Sequence, residues 1–285
     1  MSPNCAADSN PDRSPGALES DTGQRWAACV EYCGRAYSGW QRQVHSPSVQ
    51  ARVETALTSV ADHPVQVQCA GRTDTGVHGL GQIVHFDSRV ARKPHNWLLG
   101  ANSCLPDDIA LNWVVPVDEE FHARFSALSR TYRYFFLMRP VRSAHLAGMV
   151  THIRDESLDL DAMQSAFSHC LGEMDFSSFR GAGCQSNSPF RNLSDARVID
   201  HGSGLIELRV QANAFLLHMV RNLAGALLEV GRSSLTEKAF QKLLQAKDRR
   251  LAPATAAPDG LYLWRVEYPA KYRLPEGGSL PLLQE

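Results

Sequence analysis

The chain of 285 residues, with 44% hydrophobic and 21% charged residues, has the composition of a globular protein able to bury a sizeable core. No apolar run is long enough to span a membrane, and the polar N-terminus lacks the apolar segment of a secretory signal, so a cytoplasmic location is expected. A net charge of −1 gives no whole-chain sign of a nucleic-acid partner.

Residues 1–24 are rich in Pro, Ser, Gly, Asn and Asp and read as a disordered tail. Arg13 set against Asp8, Asp12, Glu19 and Asp21 makes this tail −3, which leaves +2 for the remainder. Structure is expected from Trp26, where WAACVEYC reads as a strand. A turn-rich stretch leads to a helix with Ser48 as N-cap and Val49, Val53, Ala56, Leu57 and Val60 on one face. VQVQCA then reads as a strand, GRTDTGVHGLG as a loop and QIVHFD as a strand. A short helix at 96–101 and the strand IALNWVV complete a first α+β unit over 25–118.

A second α+β unit, 119–285, opens on the β-prone run TYRYFFLM. A helix near 160–171, strands near 196–199 and 205–211, and a long helix over about 215–230 follow. Ser234 and Glu237 read as a capping box for a further helix ending near Lys247, and GLYLWRVEY is a last strand. The order of elements predicts the α+β class: two antiparallel-sheet subdomains side by side, helices on one face, and a central cleft.

The segment Cys69-Ala-Gly-Arg-Thr-Asp-Thr-Gly-Val-His78 is the richest in chemistry. In extended geometry Arg72 and Asp74 project to one side, and a carboxylate beside an arginine is held charged and oriented, as a nucleophile requires. The competing reading is a turn aspartate bonding its own backbone beside a structural salt bridge, and the segment alone slightly favours it. The long helix is apolar over most of its circumference, with His218, Arg221, Asn222 and Glu229 on a narrow polar stripe. A largely buried arginine needs an anionic partner or a carbonyl. Glu229, a local carbonyl and Asp74 all remain open for Arg221. Tyr134 and Phe136 read as core, whereas Tyr132, flanked by arginines, could stack on a base.

Two Asp-Thr-Gly triplets, at 21–23 and 74–76, match the signature of aspartic proteases, but the first lies in the tail and cannot form half of a dyad. His78, His85, His122 and His218 lie in no HExxH or similar frame, so no metal is expected. The seven scattered cysteines include no CxxC pair and read as reduced, mostly buried thiols. Nearly all cations are arginines, which suit phosphates, although a GC-rich coding bias gives the same excess.

The stretches SGWQRQ with SVQ, CAGRTDTGVH with GQIVHFD, FHARFSA, RTYRY, LGEMDFSSFR, ANAFLLHMVRN with EVG, and DGLYL run in this order from Trp26 to the C-terminus. Together they resemble the tRNA pseudouridine synthase A family over nearly the full length. The resemblance implies that Asp74 is the catalytic aspartate, that Arg72 helps evert the target base, and that Tyr132 packs on the uracil. It also implies that Arg221 pairs with the aspartate and that Leu261 lines the pocket. It further implies a homodimer acting without cofactor on uridines 38, 39 and 40 of the tRNA anticodon arm. Thr75 stands where the family usually has alanine, and Cys33 where it often has aspartate. Two rival readings are a noncatalytic RNA-binding protein on the same scaffold and an Asp74-dependent hydrolase. A conventional glycosidase would need a second carboxylate, and none recurs in a comparable loop.

Overall fold

The computed structural model describes residues 23–155 and 157–278. The expectation of disorder for the tail therefore lies outside the described residues, apart from its last two positions.

Strand β1 (Gln24–Tyr32) begins two residues before Trp26. Its alternate residues enter two cores. Trp26, Ala28 and Val30 pack with Val84, Phe86 and the first two helices, while Ala27 and Cys29 pack with Ile83 and Trp113 on the other side. Helix α1 (Val49–Ala61) starts where its signals placed it, the Ser48 hydroxyl accepting from the Ala51 N–H at 3.4 Å. VQVQCA contributes only the two-residue strand β2 (Gln68–Cys69). The backbone N–H groups of Val65 and Val67 donate instead to Thr58 Oγ1 and Glu54 Oε1, so α1 side chains take what a ladder would have used.

Strand β3 (His78–Ser88) begins four residues earlier than expected. Its first residues read as loop because Gly79 and Gly81 weaken any strand signal. A Cβ at Gly81 would lie 2.4 Å from the Trp264 carbonyl oxygen, so the glycine permits another strand to approach. Helix α2 (Pro94–Cys104) is longer than 96–101, with Pro94 supplying a preset φ in its first turn. Strand β4 (Ile109–Val117) closes the first half.

The second half runs β5 (Ser129–Met138), β6 (Thr151–Ile153), α3 (Leu160–Ser168), β7 (Gly172–Asp175), β8 (Phe190–Asp200), β9 (Leu205–Ala212), α4 (Met219–Gly231), α5 (Glu237–Ala246) and β10 (Leu261–Glu267). Helix α4 starts at Met219 rather than near Phe215, because His218 sits at φ 60°, outside the helical region. The Ser234–Glu237 capping box does not form. Thr236 caps α5 by accepting from Ala239 N–H at 3.2 Å, while the Ser234 N–H still serves the Glu229 carbonyl at the end of α4.

The mixed α+β class read from the sequence holds. What local signals did not disclose is how the halves join. The ten strands form one sheet of order β4-β1-β3-β10-β5-β9-β8-β7, with β2 on β3 and β6 on β5. The last strand, β10, inserts between the halves, parallel to β3 through Tyr262–His78 and Leu263–Gly79 and antiparallel to β5. Helices α3, α4 and α5 share one core with Tyr132, Tyr134, Phe136 and Leu208, and α1 and α2 share another with β1. Of the six described cysteines, all free, only Cys29 and Cys170 are fully buried and Cys104 is exposed, so the thiols are less buried than expected. Among the described residues no helix is long and apolar enough to cross a membrane.

Candidate active site

Asp74 lies in the link between β2 and β3, and its backbone is fixed from several directions. Ala70 N–H donates to the Ile83 carbonyl at 2.8 Å, and the Gln82 amide bonds both the N–H and the carbonyl of Gly71. Thr73 is buried, its hydroxyl 2.8 Å from Tyr32 Oη and its carbonyl accepting from Trp40 N–H at 3.0 Å. Val77 N–H then donates to the Asp74 carbonyl at 3.1 Å, closing a turn through Gly76 at φ 79°. The turn is thus held by backbone bonds. Among the described residues no backbone N–H reaches the Asp74 carboxylate, so it is not the self-bonded turn aspartate that the segment alone favoured.

Gly39 supports this loop from beneath, at φ 96°, where a Cβ would lie 2.7 Å from the Thr73 carbonyl oxygen. Gly39→Ala combines that clash with a disfavoured φ and is expected to cost about 2 kcal/mol or more. A thermal melt checks this, and an unchanged Tm would mean that the loop is not held in this way.

The loop forms one wall of a cleft of about 670 Å³, which Asp74, Arg72, Tyr132, Leu261, Phe215 and His218 help to line. Arg221 Nη1, from the first turn of α4, lies 3.6 Å from Asp74 Oδ2, while its Nε donates to the Ala256 carbonyl at 2.8 Å. The Asp74 reading of Arg221 therefore holds, and the carbonyl it also serves is not local but 35 residues away in the chain. Glu229 is taken by Arg232 at 2.8 Å.

Tyr132 is buried with its ring edge-on to Phe215, centroids 4.9 Å apart. Burial first, and then the negative charge of Asp74, push its phenol well above the ordinary tyrosine range. Leu261, 5% exposed, opens β10 opposite Tyr134. Arg72 differs from expectation. It lines the same cleft as Asp74, with Thr73 buried between them as the alternation predicts, but it is exposed and makes no ion pair with Asp74 among the described residues.

The sequence reasoning passed over His218. Its Nε2 lies 3.5 Å from Asp74 Oδ2, so an imidazole and a guanidinium from the start of α4 approach the same oxygen. Its place on the polar stripe was the available signal. A metal motif is the usual cue for a functional histidine, and His218 lies in none. With a side chain 36% exposed, His218 is expected to contribute modestly. His218→Phe should lower kcat about 5- to 10-fold, and His218→Gln, which keeps an N–H donor, should recover most of it. Equal losses in the two variants would refute a polar role.

The cleft also resolves the charge question. Arg72, Arg124, Arg130 and Arg191 line it, and Asp74 is the acidic residue among its described lining. A chain of net charge −1 thus presents a cationic groove around one carboxylate, which suits a polyanion. Among the described residues no cluster of three or more His, Cys, Asp or Glu side chains could hold a metal ion.

The family model described as tRNA pseudouridine synthase matches residues 28–126 and 166–269. The chain belongs to the tRNA pseudouridine synthase family. Relatives named tRNA pseudouridine synthase A include that of Vibrio campbellii, 51% identical over 90% of this chain and 97% of its own length. That of Aliivibrio fischeri is 50% identical over 90% and 98%, and that of Shewanella amazonensis 49% over 90% and 98%. A solved archaeal box H/ACA sRNP Nop10–Cbf5 complex aligns with 79% of this chain and 51% of that one at 11% identity and a TM-score of 0.36, too distant to bear on the site.

The two departures of this tRNA pseudouridine synthase from its family's usual pattern stand apart from the carboxylate. Thr75 is exposed and makes no side-chain hydrogen bond among the described residues, so its hydroxyl does not engage Asp74. Cys33 packs its sulfur 3.9 Å from that of Met149, just beyond the end of β1.

Proposed function

We propose that this isomerase converts uridine to pseudouridine at positions 38, 39 and 40 of the tRNA anticodon arm, with Asp74 as its covalent catalyst. The reading rests on one observation above all, the Asp74 carboxylate facing a cationic cleft with Arg221 and His218 beside its Oδ2. The target uridine leaves the helical stack to reach that carboxylate. The carboxylate then attacks ribose C1′, or assists formation of a glycal there, and the N1–C1′ bond breaks. The detached uracil turns while retained, and its C5 bonds to C1′. A proton leaves C5 and one is gained at N1, so the atoms balance without a redox partner or transferred group.

In this reading Arg221 orients the carboxylate, Tyr132 packs on the uracil, Leu261 lines the apolar side of the pocket, and the exposed Arg72 helps to evert the base. No second carboxylate lines the cleft among the described residues, which weighs against a glycosidase-like hydrolase. The protein is expected to work in the cytoplasm as a homodimer, a state that sedimentation can check.

Rearrangement to a C-glycoside must release the hydrogen on C5. Purified protein should therefore liberate tritium from tRNA labelled at uridine C5, with no added cofactor. Failure to release label from any tRNA, by protein that binds tRNA, would end the enzymatic reading.

A further inference from the structure

The link between β4 and β5, Phe121-His-Ala-Arg-Phe-Ser-Ala-Leu128, carries an aromatic ring that neither the core nor the catalytic loop uses. Phe125 is 75% exposed, yet its surroundings are built rather than loose. Ser126 N–H donates to the His122 carbonyl at 2.9 Å, and the N–H groups of Arg124 and Phe125 both donate to His122 Nδ1. His122 N–H in turn donates to the Ser126 hydroxyl at 3.0 Å. The Phe125 ring lies against His122 with centroids 4.3 Å apart, and His122 lies 4.5 Å from His85, which is anchored in the sheet. Burial holds His85 at a pKa of about 4 and lowers that of His122, so both rings are neutral near pH 7 and pack as aromatics.

This turn is tied to the active site. Arg130 is buried, and its guanidinium donates to the carbonyls of Ala70, Arg124 and Asn213 at 3.0, 2.6 and 2.8 Å. One cation thus fixes the turn to the start of the Asp74 loop. Arg124 lines the cleft, and its guanidinium lies 5.5 Å from the Phe125 centroid. Other exposed apolar side chains, such as Val44 and Leu251, have no such setting. A rigid exposed ring beside a guanidinium, at the edge of a cationic cleft, has the chemistry of a nucleic-acid stacking platform.

We propose that Phe125 stacks on an unpaired base next to the extruded uridine, with Arg124 against the adjoining phosphate. The inference rests on the RNA-modifying reading above and adds a contact for the neighbouring nucleotide. A stacked base is worth about 1–3 kcal/mol by alanine substitution, or roughly 5- to 150-fold in affinity.

The experiment compares wild type, Phe125→Ala and Phe125→Trp in the full chain. It measures binding of an anticodon stem-loop RNA and of the same RNA carrying an abasic residue on the 5′ or the 3′ side of the target. Phe125→Ala is expected to raise Kd at least 5-fold on the intact RNA, and Phe125→Trp to restore it. On one of the two abasic RNAs, wild type and Phe125→Ala should bind alike. Unchanged affinity in Phe125→Ala, or a penalty that persists on both abasic RNAs, overturns the proposal. So does a shift from dimer to monomer in sedimentation of Phe125→Ala, which would mark the ring as a protein contact. Wild type that binds RNA but releases no tritium would strike the catalytic reading, while the binding arm still decides Phe125.

Discussion

Asp74→Ala is expected to lower tritium release from C5-labelled tRNA by about 10,000-fold or more, to the limit of detection. The proposed covalent step has no other carboxylate to use, since Asp74 is the acidic residue in the described lining of the cleft. Asp74→Asn should fail as completely, because an amide is a poor nucleophile and carries no charge for Arg221 to orient. Both variants should fold, as the loop is held by the Trp40–Thr73 and Val77–Asp74 backbone bonds and by Gln82, none of which needs the carboxylate. Binding of tRNA should be retained or tightened, since the substitution removes the negative charge from a cationic groove. Release at the wild-type rate by either variant would sink the assignment of Asp74.

Arg221→Met is the second large effect, an expected loss of about 30- to 1000-fold in kcat. At 3.6 Å the attraction between Arg221 Nη1 and Asp74 is about 4–5 kcal/mol for an effective dielectric of about 20, part of which is offset by desolvation. The side chain is only 15% exposed, so solvent does not replace it readily. The lost Nε bond to the Ala256 carbonyl should also cost about 1 kcal/mol of stability. Arg221→Lys keeps a charge but not the planar fork that serves both partners, and should fall between. Full kcat in Arg221→Met would show that Asp74 is oriented without it. A rise in KM alone, with kcat and Tm unchanged, would assign Arg221 to binding instead. Combined with His218→Phe, the losses should be less than additive if both side chains act through the same oxygen.

How far the sequence went depended on the range over which each feature is determined. Ser48 announced α1 because a cap and its helix lie within four residues. The Asp74 segment stood out because glycines and polar side chains at a strand end have no place in a core. The polar stripe of α4 named both Arg221 and His218, yet could not tell which faced the carboxylate. His218 reaches it from a left-handed N-cap, and nothing in the neighbouring residues specifies that conformation. Alternation puts Arg72 on the side of Asp74, and both line the cleft, but a shared direction does not by itself bring a guanidinium to a carboxylate, which only packing between distant segments does.

The sequence by itself determined the α+β class, most of the elements and the family the chain belongs to, and it singled out the segment that carries Asp74. These depend on neighbours a few residues apart or on motifs in fixed order. Only the tertiary structure decided that β10 wedges against β3, its Tyr262 pairing with His78 far back in the chain, and so brings Leu261, Tyr132 and the start of α4 around Asp74. It alone gathered four arginines into a groove within a chain of net charge −1. Packing between distant segments sets both, and local spacing carries no record of which distant side chains will share a cleft.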